Sequence, residues 1–168
     1  MPLTTHLLDT SSGSVTLRWS LPASPDRVWD ALTSPEALPH WMGTVTSGAF
    51  AAGSAVTVQH SGDCSCISEI RGWEPERLLA MTWEFPDEPL SVLRIELTPD
   101  GGSTQLLLVH EGLGDETANY LPGWQTHLLF LEGLLRGDPR PMSGFWLVHE
   151  GLVHEGLDTR RSPASRNT

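Results

Sequence analysis

The sequence predicts an α+β fold in which a curved antiparallel sheet is wrapped around one long helix near the C-terminal end of the domain. Residues 91–113 contain two strand-like apolar runs joined by a Pro-Asp-Gly-Gly turn, which is typical of a hairpin. The helix is predicted over residues 120–135, where apolar side chains recur in two adjacent stripes at helical spacing: Trp124, Leu128, Leu131 and Leu135, and beside them His127, Phe130 and Leu134. Two stripes need a broad apolar surface, so we expect the sheet to grip this helix and to leave space for a ligand pocket.

The N-terminal third alternates between strand and helix patterns. Residues 1–12 are expected to form a poorly ordered lead-in. Residues 13–21 then predict the first strand, because every second side chain is apolar and faces inward: Val15, Leu17, Trp19 and Leu21. A Ser-Pro pair, which suits an N-cap and the first helical position, begins a helix over residues 24–32. A second Ser-Pro pair begins another short helix over residues 34–41.

The middle of the chain predicts a run of antiparallel strands. Alternation places strands at residues 55–59, 64–73, 79–85 and 92–98. Residues 104–112 form the next strand, and their central leucines are apolar on both faces, as expected for a strand with little exposure. With the helices, this order gives a sheet that carries its helices on one side.

Composition and charge exclude several classes of function. The chain has 168 residues, which is suited to one domain, and its ten basic residues are all arginine. With 21 acidic residues the formal net charge is −11, and such a field repels phosphate backbones and anionic lipids. The sequence therefore argues against partners that are nucleic acids or membranes.

The sequence also lacks the segments that direct a chain to or through a membrane. No apolar run approaches the ~20 residues that a spanning helix needs. The first residues lack the basic and apolar regions of a signal peptide. Two cysteines in a Cys-Ser-Cys spacing are too few and too close for a disulfide framework. We expect a reduced, cytoplasmic protein.

An ordered set of short motifs resembles one known family. These are SPDRVWDALT at 24–33, Trp41, WEPERLL at 73–79 with TW at 82–83, GSTQLLLVHEGL at 102–113, and GWQTHL at 123–128. Taken in this order, they resemble the START-like superfamily (SRPBCC, or Bet v 1-like), which has the helix-grip fold. The most similar branch contains homologues of the activator of heat shock protein 90 ATPase. The resemblance implies a hydrophobic cavity between the sheet and the long helix, and the branch name implies a chaperone partner.

The resemblance ends near residue 137, which divides the chain into a START-like domain over 13–137 and an extension over 138–168. The extension repeats the sequence VHEGL of residues 109–113 twice in succession, over 148–157. Three five-residue copies are too short for a stacked repeat architecture and indicate a local duplication. The end of the chain, from residue 158, has a composition typical of disorder. The apolar residues ahead of the repeat are candidates for docking on the domain or on a second copy: Phe145, Trp146 and Leu147.

Ten residues are candidates to line the cavity. They are apolar or aromatic residues of the predicted inner faces, two histidines, and one arginine assigned to an outward position: Trp41, Met81, Trp83, Phe85, Arg94, His110, Trp124, His127, Leu128 and Leu131. For each of them, ordinary core packing is the alternative interpretation.

Candidate chemistry is limited to histidines and cysteines. His110 and Glu111 are adjacent on a strand and so point to opposite faces, which favours a hydrogen-bonding role for His110 at the strand end. Cys64 and Cys66 leave a zinc site half-filled, and the His-Glu pairs of the repeat lack HExxH spacing. We therefore predict no catalytic set, no metal and no cofactor.

Three functions remain open. The first is binding of a small hydrophobic or amphipathic molecule in the cavity. The second is a protein-interaction or chaperone-regulating module, with a chaperone or a second copy as its partner. The third is a cavity enzyme, similar to a cyclase or hydrolase, that uses His110 or His127 as an acid or base.

Overall fold

A computed structural model describes residues 3–9, 12–61 and 64–161. In this part of the chain, eight strands form one antiparallel sheet with the order β1-β2-β8-β7-β6-β5-β4-β3. The strands are β1 (Leu3–Asp9), β2 (Ser14–Leu21), β3 (Thr44–Gly48), β4 (Ala55–Ser61), β5 (Cys64–Glu74), β6 (Leu78–Trp83), β7 (Ser91–Asp100) and β8 (Ser103–Glu111). The α-helices are α1 (Pro25–Thr33), α2 (Thr117–Leu135) and α3 (Phe145–Arg161), and single 3-10 turns lie at Leu38–His40, Gly114–Glu116 and Met142–Gly144.

The centre of the sheet is built from alternating residues whose registers coincide. Leu108 on β8 lies opposite Leu17 on one neighbouring strand and Ile95 on the other. All three are at most 2% exposed, so the inner face of β2, β8 and β7 is a continuous apolar surface. The predicted parity of β2 and β7 is confirmed, because Leu17 and Ile95 both lie on the buried face.

Helix α2 lies across this surface, as expected for the helix-grip fold. Both of its predicted stripes contribute buried side chains, including Trp124, Leu128, Phe130 and Leu131. The helix ends where Gly137 adopts a left-handed φ of 78° and its N–H donates to the carbonyl of Leu134. The guanidinium of Arg27 on α1 donates to the carbonyl of Leu135, which satisfies another group that the helix end leaves free.

The structure differs from the sequence predictions at the N-terminal end. Residues 3–9 form strand β1, paired with β2, where a disordered lead-in was expected. The sequence shows no clear alternation there, and the strand is held by backbone pairing to its neighbour. The second of the two predicted short helices is only the 3-10 turn Leu38–His40. Its early proline and the glycine at 43 leave room for a single turn.

Most of the described part of the C-terminal extension is helical. Helix α3 contains both VHEGL copies of the extension and runs to Arg161. The prediction that disorder begins at residue 158 is therefore wrong for residues 158–161. Residues 162–168 lie outside the described part. Phe145, at the start of α3, is 7% exposed and packs against Phe130 and His127 of α2, at ring centroid distances of 5.4 and 4.7 Å. The division of the chain at residue 137 stays a prediction, although a side chain from beyond it belongs to the core.

We expect Leu131→Ala to lower the free energy of unfolding by about 2–5 kcal/mol, because the side chain is fully buried between α2 and the sheet. Urea denaturation measures this change. The matched control is Leu147→Ala on α3, where the side chain is 75% exposed and the expected change is under about 0.5 kcal/mol. Equal effects of the two substitutions would contradict the packing of α2.

Two truncations test how α3 is attached. Deletion of residues 151–168 should change stability by less than about 0.5 kcal/mol, since the side chains described there are exposed or half-buried. Deletion of residues 145–168 also removes Phe145 and should cost about 3 kcal/mol or more, the usual loss for a buried phenylalanine. Denaturant midpoints and light scattering follow both proteins. Unfolding by the shorter deletion would show that the second half of α3 is an integral element.

Candidate functional site

A cavity of about 490 Å³ lies between α2, the start of α3 and one end of the sheet. Its walls are mainly aromatic, and its few polar groups come from histidines, one cysteine, one asparagine, one tyrosine and two glutamates. The lining residues are Met42, His60, Cys64, Trp83, Phe85, Glu88, Glu116, Asn119, Tyr120, Gly123, Trp124, His127, Met142, Phe145, Trp146 and His149.

Beneath the cavity, His110 joins α2 to the sheet through a chain of buried hydrogen bonds. The indole N–H of Trp124 donates to Nδ1 of His110 over 3.0 Å. Since an indole nitrogen can only donate, Nδ1 is the acceptor and the proton of the neutral ring lies on Nε2. Nε2 is 2.7 Å from Oγ of Ser91 and donates to it, and that hydroxyl donates to the carbonyl of Trp83 over 3.2 Å. Both nitrogens of His110 are therefore used.

A second chain of hydrogen bonds runs along the cavity wall to its rim. The indole N–H of Trp83 donates to the hydroxyl of Tyr120 over 3.1 Å. That hydroxyl in turn donates to Oε1 of Glu88. The indole N–H of Trp83 and the hydroxyl of Tyr120 thus both have partners, which hold the flat faces of the two rings in fixed positions.

His127 has one ring nitrogen fixed and one free for a ligand. Its Nδ1 is 2.8 Å from the carbonyl oxygen of Trp41, and this contact requires a proton on Nδ1. In the neutral ring Nε2 is then an acceptor, and no donor contacts it in the part of the chain that the structure describes. His60 lies beside it, with ring centroids 5.8 Å apart, and its Nε2 is buried without a hydrogen-bond partner. Both residues line the cavity.

Burial keeps the imidazoles neutral. It lowers the pKa of His60 from 6.5 to about 3, and the neighbouring His127 adds to this shift. It lowers the pKa of His110 from 6.5 to about 3 and that of His127 to about 4. In the opposite direction, burial and the hydrogen bond to Glu88 raise the pKa of Tyr120. Near neutral pH the interior of the site therefore carries no imidazolium and no phenolate.

The structure brings five of the ten predicted residues to the cavity. Trp83, Phe85, Trp124 and His127 line it, and His110 lies directly behind Trp83 and Trp124. The expected opposite orientation of its neighbour on β8 is also observed, since Glu111 is exposed. His110 and His127 are not bonded to each other, because the ring of Trp124 lies between them. Its centroid is 5.9 Å from that of His110 and 5.4 Å from that of His127. Whether these residues bind a ligand stays a prediction.

The other five predicted residues do not line the cavity. Trp41 is buried in the core and anchors the chain by donating its indole N–H to the carbonyl of Ala31 over 2.8 Å. Arg94 points away from the cavity and pairs with Glu96 on the outer face of β7, as its parity on the strand requires. The remaining three pack in the core between α2 and the sheet: Met81, Leu128 and Leu131.

Sequence reasoning missed the residues that close the cavity from two directions. His60 ends a weakly alternating strand, and nothing in its neighbourhood marks it as inward-facing. Phe145, Trp146 and His149 come from α3, where the glycines of the repeat argue against regular structure. The helical spacing of Phe145, half-buried Val148 and Leu152 was the pattern that could have indicated this helix.

The cysteines and acidic residues do not form a metal site. In residues 3–9, 12–61 and 64–161, no group of three or more His, Cys, Asp or Glu side chains is arranged to hold a metal ion. Cys64 is a free exposed thiol at the cavity and Cys66 is a free buried one, and burial raises the pKa of Cys66 to about 11. A raised pKa makes that thiol a poor nucleophile.

Comparison with protein families identifies the chain. Residues 22–136 match the family described as activator of Hsp90 ATPase homolog 1-like protein. The chain belongs to this family. The match covers α1, α2 and most of the sheet, and it confirms the resemblance of the ordered motifs to this branch of the START-like superfamily.

Solved structures show the same fold. CalU16 from Micromonospora echinospora is 25% identical with a TM-score of 0.74, and the alignment covers 95% of this chain and 99% of that protein. CV1439 from Chromobacterium violaceum is 24% identical with a TM-score of 0.69, covering 76% and 99%. DynU16, a putative protein in the dynemicin biosynthetic locus, is 26% identical with a TM-score of 0.68, covering 76% of this chain and 49% of that one. The chain therefore spans about half the length of DynU16.

Among curated proteins, none is significantly similar to the chain in sequence. None of the helices in the described residues is long and apolar enough to cross a membrane.

The neutral histidines predict that the protein loses stability in mild acid. In the unfolded chain an imidazole takes up a proton below pH 6.5, whereas buried His110 does so only near pH 3. Below pH 6.5 the unfolded state thus binds more protons, and stability should fall by about 1.4 kcal/mol per pH unit for each such histidine. Urea denaturation between pH 7 and pH 5 measures the slope. Nitrogen NMR shifts that show protonation of His110 at pH 5 would contradict its place in the hydrogen-bond chain.

Proposed function

We propose that the protein binds a small hydrophobic or amphipathic molecule in the cavity between α2, the sheet and α3. The observation that carries this proposal is the cavity itself, which combines aromatic walls with a few convergent polar groups. This combination is the usual composition of a small-molecule site. The family assignment supports a ligand-binding fold in general.

The physical arrangement favours a flat ligand. The ring of Trp83 is tilted against that of Trp124, with centroids 5.2 Å apart, and Phe85 meets Trp83 edge-on at 5.9 Å. Phe145 faces them from α3. Because aromatic rings prefer offset or edge-to-face contacts, such a cluster offers faces and edges to another ring. A planar apolar molecule would replace water at these surfaces and gain most of its affinity from their burial.

The alternative functions remain distinguishable from this one. The family description names an activator of a chaperone ATPase, so a protein-interaction module with a chaperone or homodimeric partner is the second candidate. A cavity enzyme is the third, and the hydrogen bonds at both nitrogens of His110 leave His127 as the better candidate base. The expected cytoplasmic location belongs to the same proposal.

Native mass spectrometry of protein purified from its source tests the proposal. The expected result is a reproducible small molecule that remains bound to the folded chain. Gly123→Phe provides the test of the site, because Gly123 lines the cavity and a Cβ there meets no atom within 4 Å. The new ring should fill the cavity and abolish binding, while helix stability is retained or improved, since glycine is unfavourable within a helix.

The matched control is Gly151→Phe. Gly151 lies on the exposed side of α3, a Cβ there also meets no atom within 4 Å, and the residue does not line the cavity. This variant should bind the molecule as the unmodified protein does. Retention of the molecule by the Gly123 variant would place binding elsewhere, and the absence of any bound molecule would favour the protein-interaction module.

A further inference from the structure

We infer that the cavity selects an uncharged aromatic molecule that donates a hydrogen bond, and that it rejects anionic ligands. This inference deepens the proposed function and rests on it. It names the chemical class of the ligand from the hydrogen-bonding capacity that the protein leaves unused and from the charges at the rim.

The unused capacity at the centre of the cavity is that of an acceptor. The contact of His127 Nδ1 with the Trp41 carbonyl consumes the only proton of the neutral ring, so its Nε2 can only accept. The hydroxyl of Tyr120 already donates to Glu88 and receives a bond from Trp83, which leaves one lone pair. A ligand hydroxyl or N–H group satisfies either atom, whereas a ligand carbonyl or ether satisfies neither.

His60 does not oppose this selection. Its Nε2 is fully buried and has no hydrogen-bond partner among the described residues, so it is not accessible to a molecule in the cavity. The selection therefore depends on the acceptors of His127 and Tyr120.

The rim of the cavity is acidic. Glu88 and Glu116 both line it, and no arginine is among the lining residues. Arg140 lies over the ring of Phe130, 6.0 Å from its centroid, and does not reach the cavity. The chain contains no lysine, and the imidazoles of the interior are neutral. A carboxylate or phosphate would lose its hydration here without meeting a positive charge, and it would pass two carboxylates to enter.

Three probes of the same shape test the inference by isothermal titration calorimetry near neutral pH. Naphthol carries a hydroxyl, its methyl ether lacks the donor, and naphthoate carries a negative charge at the same ring position. Naphthol should bind about fivefold tighter than the ether, the ratio that one neutral hydrogen bond supplies. Naphthoate should bind at least about tenfold more weakly than naphthol, because its charge is buried without a partner.

The substitution His127→Phe tests whether the preference for naphthol over its ether comes from the acceptor Nε2 of His127. The phenyl ring keeps the apolar contacts, so the ether should bind as before, while the preference for naphthol over the ether should shrink, because only the lone pair of Tyr120 remains to accept. His40→Phe is the matched control, because His40 is exposed and outside the cavity. It should leave all three affinities unchanged. If His127→Phe does not fold, the order of the three probes on the unmodified protein decides.

The outcomes separate this inference from the proposed function. Binding of the ether equal to that of naphthol, or tighter binding of naphthoate, would overturn the selection for an uncharged donor and leave the ligand-binding function in place. A Gly123→Phe protein that binds all three probes unchanged would overturn the cavity as the site. If the unmodified protein binds the probes in the expected order and the Gly123→Phe protein does not bind them, the result supports both the proposed function and the inferred ligand class.

Discussion

The hydrogen bond from the Trp124 indole to Nδ1 of His110 is the interaction on which the rest of the site depends. It is made at the centre of the contact between α2 and the sheet, where an unpaired imidazole nitrogen would cost about 1–3 kcal/mol. Because β8 presents His110 between β2 and β7, the bond fixes the rotation and height of the helix against three strands. That position in turn places Gly123 and His127 of α2 on the cavity wall, beside Trp124.

Burial keeps the site neutral, and for His110 the same bond is compatible only with the neutral ring. A proton on Nδ1 of His110 would face the N–H of Trp124 and break the chain that continues through Ser91 to the Trp83 carbonyl. The protein thus holds a histidine as a structural acceptor and donor, with no capacity left for proton transfer. His127 differs, since it lines the cavity and its Nε2 has no donor among the described residues. The partners of the second ring nitrogen thus give the two histidines different roles. His110 supports the fold, and His127 is available to contact a ligand.

Sequence predicted the fold wherever burial imposes a period. The alternation of β2, β7 and β8 and the two stripes of α2 follow from the sheet and helix burying each other, so their residues could be assigned correctly. β1 is held by backbone pairing, which leaves little trace in side chains, and α3 carries glycines that local propensity counts against a helix. The position of the cavity was predicted, and four of its lining residues were among the candidates: Trp83, Phe85, Trp124 and His127. Leu128, Leu131 and Met81 share the apolar pattern of the lining residues, so the sequence cannot separate core from cavity. The positions of α3 and of the end of β4 at His60 decide which side chains line the cavity.

The size of the cavity implies that it is not empty when the protein is folded. A dry void costs about 24 cal/mol per Å³, so a closed space of about 490 Å³ would consume a free energy comparable with the whole stability of a domain. The rim resolves this, because Asn119 is exposed and Trp146 is 58% exposed, so the cavity is open to solvent. In the proposed function, an aromatic ligand gains affinity by removing the apolar surfaces of Trp83, Trp124 and Phe145 from solvent.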